Sequence, residues 1–149
     1  ADQWRLSASA VVSGDSTFTS NWERVDDGNF GKIGTGMTES SGIFTFPSTG
    51  IYLVSAQFTV YVNGSNYPSY AGVKIKTTSD NFASVNHNAV SSYDHLVGSG
   101  DHGTGYCSHM LDVTDTSNIK VKLDYETESQ TNYGGGNQTG LIFIRLGDT

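Results

Sequence analysis

The sequence predicts an all-β protein, a single β-sandwich domain spanning residues 1–149. In several segments apolar and polar residues alternate with a period of two, which is typical of strands with one buried face. Glycine, serine, threonine and asparagine are abundant between these segments, and they favour tight turns. Helix-favouring residues never accumulate over a helical window. Many short strands separated by turns indicate a two-sheet sandwich.

The first strand is predicted from Trp4 to Val12, where every second residue is apolar. Gly14-Asp15-Ser16 is interpreted as the turn that ends it. Ile43 to Phe46 form a short strand, which Pro47 stops because proline cannot donate to a sheet ladder. Residues 47–50 then form a turn in which Gly50 is free to take a positive φ.

The strongest strand signal runs from Ile51 to Val62. Six alternate residues on one face are expected in the core: Tyr52, Val54, Ala56, Phe58, Val60 and Val62. Tyr70 to Thr77 is the next strand, with Val73 and Ile75 inward. Residues 78–105 are polar and glycine-rich, and we expect long loops there with one or two short strands.

Three further segments complete the predicted sandwich. Tyr106 to Val113 is a strand candidate, and Ile119 to Tyr125 is the clearest half-buried strand because apolar residues alternate there with charged ones. Gln130 to Gln138 contains three consecutive glycines and is predicted to be a long loop. Leu141 to Leu146 is the last strand.

This last strand is apolar on both faces. Leu141 and Phe143 lie on one face. The other face carries Ile142, Ile144 and Leu146. Because one face of a sandwich strand should contact water, a neighbouring subunit is expected to cover the second face, and we assign Leu141 and Phe143 to that interface. Cover by loops of the same chain is the alternative.

Composition excludes several classes of function. The formal net charge is −7 and no basic stripe occurs, so no nucleic-acid partner is expected. The longest apolar runs are far shorter than a membrane span, so membrane insertion is not expected. Cys107 is the single cysteine, which rules out an intrachain disulfide. No nucleophile turn or phosphate loop is present, and we do not expect an enzyme.

Residues 42–54 read Gly-Ile-Phe-Thr-Phe-Pro-Ser-Thr-Gly-Ile-Tyr-Leu-Val. This combination of aromatic strand, proline turn and Gly-x-Tyr resembles the hallmark of the globular head of complement C1q, a family that shares its fold with the tumour-necrosis-factor-like cytokines. The matching positions are Phe44, Pro47, Gly50 and Tyr52. Val54 stands where the family prefers phenylalanine.

Shorter pieces fall in the order of that family. Trp4 to Ala8 resembles its first strand, and Asn29-Phe30 lies where the family carries an asparagine before the hallmark. Leu111 to Leu123 resembles its penultimate hairpin, with Thr116-Ser117 in place of the usual Gly-Asp. Residues 139–143 resemble its closing strand.

The resemblance implies a ten-stranded antiparallel jelly-roll sandwich that forms a homotrimer about a three-fold axis. In this family the head usually caps a long trimeric stalk and binds a partner without carrying out chemistry. The fold alone leaves the ligand open.

Four tyrosines in or beside polar loops are the candidate ligand-binding residues: Tyr67, Tyr70, Tyr93 and Tyr133. An exposed ring can stack on the face of a sugar while neighbouring polar groups bond its hydroxyls. The alternative for each ring is packing at the base of its loop.

The histidines form the second candidate group: His87, His95, His102 and His109. Asp94-His95 repeats as Asp101-His102, and imidazole and carboxylate are metal ligands. We therefore consider a metal ion held by His95 and His102, with one ligand from each chain gathered on the three-fold axis. Solvated loop residues are the alternative, and no other cofactor is predicted.

These observations lead to a functional hypothesis. We expect the trimeric head of a viral or phage fibre, or of a bacterial surface appendage, that binds a host-surface glycan or protein receptor. Such a head would be on the virion, or extracellular at a cell surface. The alternatives are a purely structural trimerisation knob of a virion or spore-coat protein, and a secreted C1q-like lectin.

Overall fold

The computed structural model describes residues 1–28, 31–62, 67–84 and 88–149, with Asn88 described by its backbone only. Within these ranges the chain forms eleven strands and no helix, so no helix there could span a membrane. The strands are β1 (Asp2–Leu6), β2 (Ala10–Thr17), β3 (Trp22–Arg24), β4 (Thr38–Ser40), β5 (Ile43–Thr45), β6 (Gly50–Tyr61), β7 (Tyr70–Thr78), β8 (Asn88–His95), β9 (His102–Val113), β10 (Lys120–Tyr133) and β11 (Gly136–Gly147). The predicted all-β class is confirmed.

The strands pair antiparallel in two layers. The front sheet has the order β3-β1-β11-β6-β9. The back sheet has the order β4-β5-β10-β7-β8, and β2 continues beside β10 where β5 ends. From β5 onward the chain passes repeatedly from one sheet to the other, which is the jelly-roll connection pattern. The predicted hairpin over Leu111 to Leu123 is therefore wrong, because β9 and β10 belong to different sheets.

The space between the sheets holds a single cluster of buried hydrophobic side chains. All six residues predicted on the inner face of the long strand are buried, as are Val73 and Ile75 of β7. Lys74 and Lys76 lie on the outer face, as alternation requires.

The segment that resembles the C1q hallmark forms a compact corner between the sheets. Gly50 has φ of +140°, and a Cβ there would lie 2.5 Å from the carbonyl oxygen of Gly147, so only glycine fits. The Tyr52 hydroxyl donates to the Ser48 carbonyl at 3.0 Å, and its ring lies 4.6 Å from that of Phe46. The motif therefore fixes the turn by backbone space and by one buried aromatic pair.

The predicted first strand is two strands. Residues 7–9 are exposed and separate β1 in the front sheet from β2 in the back sheet. Gly14-Asp15-Ser16 lies inside β2, where Gly14 has φ of +84° beside a register shift with β10. The glycine thus marks a β-bulge, and not the turn that we predicted.

The predicted loop over residues 130–138 is also wrong. β10 continues to Tyr133 and β11 starts at Gly136, so only a tight turn separates them. Gly135 packs so closely on residues 8 and 9 that a Cβ would lie 2.4 Å from the Ala8 carbonyl carbon. Residues 78–105 contain β8 and the start of β9, as expected. Asn29-Phe30 and His87 lie outside the described residues.

Candidate interaction surfaces

The outward face of the front sheet carries apolar side chains on three neighbouring strands. In the sheet register, Leu53 of β6 lies between Ile144 of β11 and Met110 of β9. Ile142 and Tyr106 continue this surface on β11 and β9. Met110 and Tyr106 are 63% and 61% exposed, and Ile144 is also exposed. Leu53 and Ile142 are half-buried. These five residues are the front patch.

The assignment of Leu141 and Phe143 to a subunit interface is wrong in this structure. They are 0% and 1% exposed and belong to the core between the two sheets. The register sets this outcome, because Phe143 pairs with the inward-facing Val54. The face of β11 available to a neighbour is the opposite one, which carries Ile142 and Ile144.

The middle of the front face also has polar groups. The Tyr106 hydroxyl donates to Ser55 Oγ at 2.9 Å. Beside it, a slot of about 10 Å³ is lined in part by Gln57 and Thr139, and Thr139 Oγ1 is buried without a hydrogen-bond partner. The slot has room for about one water molecule.

A charged group borders the front patch. Arg5 pairs with Glu23 at 2.5 Å and with Asp27 at 2.7 Å, and it also donates to Asn137 Oδ1 at 3.1 Å. The Arg5 guanidinium holds the pKa of Asp27 below its usual value. An apolar centre with a charged rim is the usual composition of a protein interface.

The outward face of the back sheet has a different chemistry. Tyr93 of β8 lies across Gly72 of β7, where a Cβ would come within 2.3 Å of its ring. This position lets the Tyr93 hydroxyl donate to Glu126 on β10. The exposed ring of Tyr70 meets the Tyr93 ring edge-on, with centroids 5.9 Å apart.

Charged pairs complete this face. Lys74 Nζ lies 2.5 Å from Glu126 and 2.9 Å from Asp15, so one ammonium bridges two carboxylates. The Lys74 ammonium, and then the Tyr93 hydroxyl, hold the pKa of Glu126 below its usual value. Burial and the bond to Glu126 raise the pKa of Tyr93. The back patch comprises Asp15, Tyr70, Lys74, Tyr93 and Glu126.

The predicted ligand-binding tyrosines therefore separate into two groups. Tyr67, Tyr70 and Tyr93 are exposed, although Tyr70 and Tyr93 stand on strands and not on loops. Tyr133 is 0% exposed, and its hydroxyl donates to the Gly72 carbonyl at 2.6 Å. Burial raises the Tyr133 pKa. Tyr133 is a core residue, which corrects the prediction that it contacts a ligand.

The candidate metal pair shows no ligand cluster. Among the described residues, no three His, Cys, Asp or Glu side chains are grouped to hold an ion. Asp101 accepts from the backbone N–H groups of Val97 and Gly98, and Asp94 accepts from that of Thr104. These two carboxylates shape the turn beside His95 and His102, and an ion shared between chains stays a prediction.

The front-patch residues of β9 were missed from the sequence. Tyr106 and Met110 alternate with Cys107 and Leu111, so the two faces of this strand are about equally apolar. The available signal for this surface was the pattern of β11, which is apolar on both faces. Only the register of β11 with β6 decides which of the two faces of β11 points outward.

Comparison with known proteins identifies the fold. No protein-family model and no curated protein sequence matches the chain. Among solved structures, Eiger TNF from S. frugiperda is similar with a TM-score of 0.76 and 12% identity, over 99% of this chain and 92% of that one. Murine APRIL at pH 5.0 is similar with a TM-score of 0.67 and 14% identity, over 97% of this chain and 98% of that one. The chain therefore has a TNF-like jelly-roll fold.

Proposed function

We propose that this domain is a homotrimeric binding head, in which the front patch joins the subunits and the back patch contacts a protein receptor. The observation that carries the proposal is the row formed by Ile144, Leu53 and Met110 across three strands of the front sheet. Contiguous exposed apolar side chains of this kind usually mark an interaction site.

A second copy of the chain suits the front patch. An apolar sheet face with a charged rim matches the composition of subunit interfaces. Closed symmetry is the rule for soluble homo-oligomers, and the C1q-like hallmark implies a three-fold arrangement. The TNF-like fold supports the same arrangement.

A protein receptor suits the back patch. Tyr70 and Tyr93 present exposed rings beside charges of both signs, and tyrosine is enriched at the centre of protein interfaces. The rings stand on the open face of a sheet, where a protein can dock. A trimer would present three copies, so weak single contacts would add through avidity.

The setting of this head is part of the proposal. We infer an extracellular or virion-surface location, on a viral or phage fibre or a bacterial appendage, as the sequence analysis predicted. The named structural relatives come from an insect and a mouse, and they do not bear on a viral or bacterial source. The full-length gene sequence tests this proposed setting, because we expect it to encode a stalk-like or virion-protein segment beside this domain.

Light scattering at micromolar concentration tests the assembly. We expect the mass of three chains for the unmodified protein and of one chain for Met110→Glu. Tyr93→Glu is the matched control, because it places the same charge on the exposed back patch, and it should stay trimeric. A single-chain mass for the unmodified protein would overturn the trimer, and circular dichroism would show that each variant is folded.

Binding to whole cells tests the receptor. Tyr93→Ala should reduce binding at least tenfold while the trimer mass stays unchanged and circular dichroism shows a folded protein. Unchanged binding by Tyr67→Ala, Tyr70→Ala and Tyr93→Ala, or no binding by the unmodified trimer to any cell tested, would favour the structural knob. Loss of binding after deglycosylation of the cells would favour a glycan receptor over a protein.

A further inference from the structure

The apolar row of the front sheet continues past β1 to an exposed isoleucine. The Ile33 N–H donates to the Ala1 carbonyl at 2.8 Å, and the Ala1 nitrogen donates to the Ile33 carbonyl at 2.9 Å. Two residues that exchange both bonds form one rung of an antiparallel ladder, and their side chains share a face. Ala1 lies opposite Ile144, because Asp2 pairs with Phe143. The complete row on the outward face is Ile33, Ala1, Ile144, Leu53 and Met110.

The two ends of this row are largely exposed. Ile33 is 75% exposed and Met110 is 63% exposed. Neighbouring strands of a sheet lie about 4.8 Å apart, so the row spans about 19 Å from one end to the other. Both edges of the front sheet therefore present an apolar side chain at the same level along the strands.

Each end also carries a charge without a partner. Lys32 precedes Ile33, and Asp112 follows Met110 by two residues on the same face of β9. Both are exposed, and neither has an ion pair with any residue that the structure describes. Arg5, by contrast, is paired with carboxylates of its own chain. A free cation at one edge and a free anion at the other are complementary.

A three-fold ring would bring these two edges together. In a closed ring each subunit meets one neighbour through one surface and the other neighbour through a different surface. With the axis along the strands, three front sheets enclose it, and the β9 edge of each sheet lies beside the β1 edge of the next. A row that runs across the strands stays at one level along such an axis. Met110 of one subunit would then face Ile33 of the next.

We propose that Met110 and Asp112 of each subunit contact Ile33 and Lys32 of the next subunit around the ring. This inference rests on the trimer proposed above and identifies the two unlike edges that join it. Contact removes the two apolar side chains from water, and the Lys32 ammonium pairs with the Asp112 carboxylate. The same charges disfavour contact between two like edges, where equal charges would meet.

Cross-linking tests which edges meet. In a Cys107→Ala background, Ile33→Cys and Met110→Cys give two kinds of chain with one thiol each. A short bifunctional thiol reagent should link a reassembled mixture of the two into covalent dimers, and should link neither variant alone. One chain with both substitutions should give covalent trimers. Tyr93→Cys in place of Met110→Cys is the matched control, and it should give no link because it lies on the back sheet.

Charge reversal tests the ion pair. Lys32→Glu and Asp112→Lys should each raise the concentration at which the trimer dissociates by about tenfold, because each brings like charges together. The double variant exchanges the two charges and should recover most of the loss. Light scattering on dilution measures the dissociation, and circular dichroism shows that each variant is folded.

Different results would overturn the contact and the trimer. Links between chains of Met110→Cys alone would mean that like edges meet, which overturns the contact. No link in the mixture, from a protein with the mass of three chains, would also overturn the contact and leave the trimer standing. A single-chain mass for the unmodified protein would overturn both. A double variant as weak as Lys32→Glu would overturn the pairing of Lys32 with Asp112.

Discussion

The outer faces of the two sheets differ in how their side chains are satisfied. On the back sheet, lysines and carboxylates pair across strands: Lys74 with Asp15 and Glu126, and Lys76 with Asp124 at 2.7 Å. On the front sheet, the outward-facing positions carry the front patch, whose side chains are apolar except for the Tyr106 hydroxyl. The back face is completed by its own chain and stays stable in water, whereas the front face gains stability only when another surface covers it.

Phe58→Ala tests the sandwich that separates these two faces. Phe58 is buried on β6, and its ring lies 6.0 Å from that of Tyr133 on the back sheet. The cavity should lower the free energy of unfolding by about 3–5 kcal/mol, measured by denaturant titration. A loss below about 1 kcal/mol would mean that β6 does not bury this face, and the comparison of the two outer faces would then fail.

Asp124→Asn tests whether the back face is held by charge. Asp124 is buried, pairs with Lys76 and accepts from the Thr17 hydroxyl at 2.5 Å. Losing its charge should cost about 2 kcal/mol, in the range of a hydrogen bond to a charged group. Asp148→Asn is the control, because Asp148 forms an exposed pair with Arg145 and should change stability by less than about 0.5 kcal/mol. Equal effects of the two variants would contradict a special role for the back-face network.

The pH dependence sharpens the same contrast. The pKa of Glu126 is lowered in the folded protein by Lys74 and Tyr93, so its contribution to stability is present above the pKa of the unfolded chain. That contribution disappears as the pH falls through the lower, folded-state pKa. The stability difference between the unmodified protein and Glu126→Gln should therefore be largest near neutral pH and shrink below about pH 4. A difference that is constant between pH 7 and pH 3 would argue against the ion pair.

Ile144→Thr should have the smallest effect on the isolated subunit. Ile144 is exposed on the front sheet, and threonine is also a good strand former. Unfolding of the monomer, studied in the Met110→Glu background, should change by less than about 0.5 kcal/mol. In the unmodified background the same change should weaken the trimer, as seen by dissociation on dilution. An effect on the monomer as large as the effect on assembly would remove the distinction between the two faces.

Much of the fold was predictable because strand alternation is a local property. The inward faces of β6 and β7 were correct residue by residue, since the apolar residues there recur with a period of two. The errors fell where one residue type has two structural uses. Gly14 marked a bulge and not a turn, and the glycines at 134–136 marked a tight turn and not a long loop.

The candidate sites were less predictable. Tyr133 and Tyr93 both stand among polar residues in the sequence, yet one ring lies in the core and the other lies across Gly72 on the surface. The difference arises from the strands that β10 and β8 pair with.

The sequence by itself determined the all-β class, the long core strand and the hallmark corner at residues 42–54, because alternation, turn residues and a required glycine act over a few neighbours. Only the tertiary structure decided which face of β11 is buried, which tyrosines reach solvent and which strands the glycines at 14 and 134–136 connect or bend. Each of these depends on strand register, and a shift of one residue in register would exchange the two faces of the strand.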